Sequence, residues 1–201
     1  MLPKRDNYAI QAEAARLRFL TYDQSAMPVH KDGEFLYLTF CGFPYRISRA
    51  DGHLFCRADG VWSSADSHGE VLTIFDYLCD ARPGRAPSGE FVSMATLGGH
   101  VHGVLASGSG PLEQAIDADP GTFRRACLAL GAAETAGGDL SFDLPLLPDL
   151  PLRLRFWHGD EEFEPRLDLL FDRNTLAFLR YETIWYAAGV LRRRLRETMG
   201  L

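Results

Sequence analysis

The stretch PLRLRFWHGDEEFEPRLDLLFD, residues 151–172, decides the fold. Leu152, Leu154 and Phe156 alternate with Arg153, Arg155 and Trp157. Successive side chains of a strand point to opposite faces, so this period of two describes a strand with one face in a core. Residues 167–171 form a second apolar run that can pair with the first, and Asp172 stands where it can cap a short turn. Between the runs lie His158, Asp160, Glu161, Glu162 and Glu164. Carboxylates this dense do not cross a core, because unpaired buried charge is expensive. The stretch therefore reads as an antiparallel hairpin with an acidic turn.

The same logic extends outward. Residues 35–40 (FLYLTF) are aromatic and apolar, a turn follows at Cys41-Gly42, and Tyr45-Arg46-Ile47 resumes the strand pattern. Asp51-Gly52 and Asp59-Gly60 mark two further turns. Connections this short cannot join parallel strands, so an antiparallel meander is expected. Helices are expected over residues 7–20 (Ile10, Ala14 and Leu17 on one face), from a Ser67/Glu70 capping box to about Asp80, after Pro111, after Asp119-Pro120, and from Tyr181 to about Thr198. Ile184, Ala188, Leu191 and Leu195 give the last helix its buried stripe. Residues 82–89 read as a loop, and strands are expected at 90–95 and 101–105. Strands and helices without regular β-α-β alternation indicate an α+β fold: one domain over residues 1–201, mainly antiparallel sheet with flanking helices and a C-terminal helix.

Composition narrows the function. The chain has 201 residues, 46% hydrophobic and 24% charged, with a net charge of −6. A general nucleic-acid coat is not expected at this charge, since phosphate binding needs clustered positive charge. No apolar run is long enough for a membrane helix, and the first residues lack a signal-peptide core, so a cytoplasmic protein is expected. Cys41, Cys56, Cys79 and Cys127 form no metal-binding or redox motif and are expected as reduced thiols.

Four segments hold chemistry-bearing residues. In an extended chain His158, Asp160 and Glu162 share one side and could ligate a divalent cation; the competing readings are a solvated turn guarding a sheet edge and a backbone cap. Gly98-Gly99-His100-Val101-His102 places two imidazoles on one strand face beside a glycine pair, a start for a metal or flat-ligand site. Half-exposed strand histidines at a glycine turn are the plain alternative. Gly108-Ser109-Gly110-Pro111 could hold an anion at a helix start. Arg192, Arg193, Arg194 and Arg196 complement a helix C-terminus, pair with carboxylates, or dock an acidic partner. Ser63, Ser64 and Ser67 near His68 lack a nucleophile elbow and a placed acid, so serine catalysis is rejected.

The order of motifs resembles an uncharacterised family of domains of unknown function found mainly in anaerobic bacteria and archaea. It is carried by EVLTIFDYL, PSGEFVSMATLGG, DPGTFRRACLALG, W-x-G-D-E-E-F-x-P at residues 157–165 and L-F-D at 170–172, over nearly the whole chain. The resemblance implies a cofactor-linked role in anaerobic metabolism, corrinoid- or tetrapyrrole-related, while the His100/His102 pair is not part of the family pattern. Three function classes follow. One is a ligand- or cofactor-binding accessory protein using Gly98, Gly99, His100 and His102. The second is a protein-interaction module without a small-molecule site. The third is a metal-dependent enzyme built on His100 and His102, with His158, Asp160 or Glu162 completing the ligand set.

Overall fold

The computed structural model describes residues 7–98, 107–108 and 110–201. Helix α1 (Asn7–Leu20) leads into five strands: β1 (His30–Lys31), β2 (Phe35–Phe40), β3 (Phe43–Ser48), β4 (Leu54–Ala58) and β5 (Val61–Ser64). They form the expected meander, every neighbour antiparallel, in the order β1-β2-β3-β4-β5. Cys41 and Asp59 adopt left-handed conformations beside Gly42 and Gly60, and Gly52 is left-handed as well. These are the tight turns that the glycine signals foretell.

Helix α2 (His68–Cys79) crosses to the second half, where β6 (Phe91–Ser93) runs directly into α3 (Met94–Gly98). After β7 (Ser107–Gly108) come α4 (Pro111–Ala118), α5 (Pro120–Ala129), β8 (Ala133–Glu134), β9 (Leu140–Leu147), β10 (Leu150–Trp157), β11 (Arg166–Asp172) and α6 (Tyr181–Met199). The second sheet has the order β6-β11-β10-β9-β8, with β7 also paired to β11, again all antiparallel. Leu154 faces Leu169 in the β10–β11 hairpin, as the alternation requires. The fold is α+β with two antiparallel sheets, and Cys41 N–H donates to Leu146 O where they meet. The buried side chains form one contiguous cluster, from Phe19 on α1 through both sheets to Leu195 on α6.

Three local expectations are corrected. On α1 the buried residues are Ala15 and Phe19, whereas Ile10 and Leu17 are 47% and 55% exposed. Two stripes compete on this helix, and the one holding the large Phe19 ring, 4.9 Å from Phe75, wins the core. The strand expected at 90–95 stops at Ser93, whose Oγ accepts from Thr96 N–H and starts α3. Ser67 precedes α2 without a side-chain cap, because Glu70 is drawn into the core instead. The strand expected at 101–105 lies outside the described residues.

Candidate functional site

Helix α2 is apolar and buried, yet it carries Glu70 and Asp76 inside and ends at Asp80. Carboxylates in such surroundings need partners. For Asp76 and Asp80 these come from distant elements. The backbone N–H of Arg180, at the start of α6, donates to Asp76 Oδ2 at 2.6 Å. The same residue's guanidinium lies 3.2 Å from Asp76 Oδ1 through Nε and 2.7 Å from Asp80 Oδ2. Arg18 of α1 reaches Asp80 Oδ2 at 2.7 Å from the other side. Asp76 thus caps α6, whose N-cap residue offers no side-chain cap of its own.

The pair is unequal. Burial, and then the neighbouring Asp80 carboxyl, push the Asp76 carboxyl above its ordinary value despite the Arg180 N–H and the Thr183 hydroxyl. Burial works in the same direction on Asp80. The hydrogen bond from Asp76 and the Arg18 and Arg180 guanidinium groups outweigh it, and Asp80 lies below its ordinary value. Asp76 holds a proton to higher pH, and Asp80 is the anion it bonds to. Asp76 Oδ1 is buried and accepts no hydrogen bond among the described residues.

Asp76 also lines a cleft of about 280 Å³ between α1, α2 and α6, together with Gln11, Arg18, Arg180, Glu182 and Tyr186. Glu182 and Tyr186 are shared with a second hollow of about 330 Å³, completed by Tyr181 and Trp185. The first two turns of α6 thereby set a flat aromatic lip beside a polar cleft. A Cβ at Gly98 would run into the Tyr181 ring, so the close approach of α3 to α6 requires glycine there.

The other predicted residues are placed as follows. Gly98 ends α3 against Tyr181. Gly99, His100 and His102 lie outside the described residues. His158 Nδ1 is 2.6 Å from Asp117 Oδ1, while its backbone N–H donates to Asp139. Asp160 accepts the N–H groups of Glu162 and Phe163, each at 2.8 Å, and these bonds lower its pKa. Glu162 is exposed. The acidic turn is therefore closed on its own backbone. Among the described residues no three His, Cys, Asp or Glu side chains converge as metal ligands. Glu113, buried in the first turn of α4 and 2.6 Å from Arg192, puts a carboxylate near this helix start, which disfavours an anion there. Arg193 and Arg194 pair with Glu70 and Glu197, so the arginine cluster is spent mainly inside the molecule. Burial raises the pKa of all four cysteine thiols, Cys79 to about 12, which makes poor nucleophiles of them.

Fold and site together define an α+β protein with a polar, arginine-clamped cleft between helices. The family model described as Domain of unknown function (DUF3786) matches residues 21–194, and the chain belongs to that family. No curated protein and no solved structure matches it. The match begins after α1, the helix that supplies Gln11 and Arg18 to the cleft. Among the described residues no helix is long and apolar enough to cross a membrane.

Proposed function

We propose that the protein is a ligand- or cofactor-binding accessory protein, with its ligand in the cleft between α1, α2 and α6. The observation that carries this reading is Asp76: a buried carboxyl with a raised pKa that lines a cleft, its Oδ1 3.2 Å from Arg180 Nε but without a well-aligned hydrogen bond. Buried polar atoms are normally satisfied, and perturbed carboxyls collect at binding sites. A ligand group that donates a hydrogen bond would satisfy Oδ1. The Tyr181, Trp185 and Tyr186 rings would take a flat apolar portion. A corrinoid or other tetrapyrrole of anaerobic metabolism, the class implied by the family resemblance, has such a portion.

The test is a thermal-shift panel of corrinoid, heme and flavin on the intact protein and on Asp76→Asn. A rise in Tm with one of them, lost in the variant, is expected. No shift with any of the three would overturn the reading. An interaction module is the second reading, favoured by the exposed Ile10 and Leu17 on α1. For that reading, a pull-down abolished by Ile10→Glu/Leu17→Glu with the Asp76 site intact is the expected result.

A further inference from the structure

A different region carries an inference independent of the cleft. The inner face of the first sheet is the core: Leu36, Leu38, Tyr45, Ile47, Leu54 and Cys56 are all buried. The opposite face of an antiparallel sheet is ordinarily polar. Here it is aromatic. His30, Tyr37, Arg46, Phe55 and Ser64 stand in one register row across all five strands. Phe35 and Trp62 flank that row, and Phe35, Tyr37, Phe55 and Trp62 are all partly buried, neither enclosed in the core nor fully exposed. The rings are in mutual reach: His30–Tyr37 at 5.5 Å, Phe35–Phe55 at 6.3 Å and His53–Phe55 at 5.1 Å between centroids.

Arg46 sits at the centre. Its guanidinium carbon lies 4.5, 5.0 and 4.8 Å from the Phe35, Phe55 and Trp62 ring centroids. Arg57 lies 5.9 Å from Trp62. Neither arginine forms an ion pair among the described residues, and Arg46 Nε is buried without a hydrogen-bond partner. Two carboxylates stand at the rim: Asp32 accepts from Tyr37 and from the Glu34 and Phe35 N–H groups, and Asp66 accepts from Ser64 and lies 3.8 Å from His53 Nε2. Neither pairs with Arg46 or Arg57, so the face offers ring surface together with two planar cations that no described carboxylate pairs.

We propose that this face binds a short single-stranded nucleic acid, its bases stacking on the rings and its phosphates meeting Arg46 and Arg57. A sheet bearing exposed aromatics stacks two or three bases, and guanidinium groups both stack on bases and bind phosphate. A second copy of the chain fits less well: pairing this face with itself would set Arg46 and Arg57 against the same cations of the partner, whereas a phosphodiester chain complements them.

The test uses the intact chain carrying Trp157→Phe and Trp185→Phe, which leaves Trp62 as the sole indole. Titration with a fluorescent ten-nucleotide uridine oligomer is followed by anisotropy and by Trp62 quenching. Saturable binding is expected, with a slope of log K against log salt of about −1.4 for two phosphates. Arg46→Ala and Tyr37→Ala each weaken binding about tenfold. Arg46→Lys, which keeps the charge, restores the salt slope but not the full affinity; Arg153→Ala on the other sheet has no effect. Absence of binding at low salt by protein with parental circular dichroism overturns the proposal. So does equal binding by the Arg46 variants, or a self-association that the Tyr37 substitution abolishes.

Discussion

Glu70 and Asp76 are buried carboxylates of the same helix, each facing guanidinium groups from α6, and they are used in opposite ways. Glu70 Oε1 accepts from Tyr45 Oη at 2.5 Å, Arg194 at 2.7 Å and Arg193 at 2.9 Å. Burial is the largest influence on Glu70 and pushes its carboxyl up. The Tyr45 hydroxyl and the two arginines outweigh it, and the group ends below its ordinary value. Arg194, 8% exposed, also reaches Cys56 and stacks over Phe43. Glu70 therefore ties α2 and α6 to the first sheet: three donors meet on one oxygen and hold its carboxyl low. At Asp76 the same types of residue leave a raised carboxyl that lines a cleft. The difference teaches that a buried ion pair speaks for structure when its donors outweigh burial, and for a site when they do not and the group lines a cleft.

The largest effect should come from breaking the Glu70 network. Glu70→Ala strands Arg194 in the core, and a loss of about 3–5 kcal/mol in urea unfolding is expected. Gly98→Ala forces α3 off Tyr181 and should cost about 1–3 kcal/mol, recovered when Tyr181 is shortened to Ala. Asp76→Asn is expected to cost less than Glu70→Ala, about 1 kcal/mol, since the amide oxygen can still accept the Arg180 N–H.

The two carboxylates should also separate by pH. The raised carboxyl of Asp76 binds its proton more tightly in the folded state. Its contribution is full below the ordinary aspartate value and is lost as pH rises through the folded pKa. The lowered carboxyl of Glu70 contributes above the ordinary glutamate value and loses that contribution as pH falls through its folded pKa. A Tm–pH profile of Asp76→Asn should therefore lose a decline that sets in above the ordinary aspartate value and keep the acid-side loss.

Much of the fold was legible because its signals are local. The β10–β11 alternation, the Asp51-Gly52 and Asp59-Gly60 turns and the α6 stripe each state their structure within a few residues. Asp172 was readable as a cap, although its bonds to Ser88 and Gly89 N–H were not, because those partners are far away in sequence. On α1 two apolar stripes have nearly equal claims, and only packing against Phe75 chooses between them. Glu70 stands at capping-box spacing, which hides its role with Tyr45 and Arg194. The candidate site left one signal: Asp76 and Asp80, four apart at the end of a largely apolar helix with no basic residue in its last turn. Its clamps, Arg18 and Arg180, come from opposite ends of the chain, and no motif spacing can announce that.

Carbon-detected NMR titration of the aspartate side-chain carboxyls tests the central claim most directly. The account predicts one carboxyl titrating above the ordinary value of about 3.9, absent in Asp76→Asn, and its neighbour Asp80 titrating below it. Two carboxyls titrating together at or below the ordinary value would contradict it, and would make the Asp76 cluster a second structural network like that of Glu70.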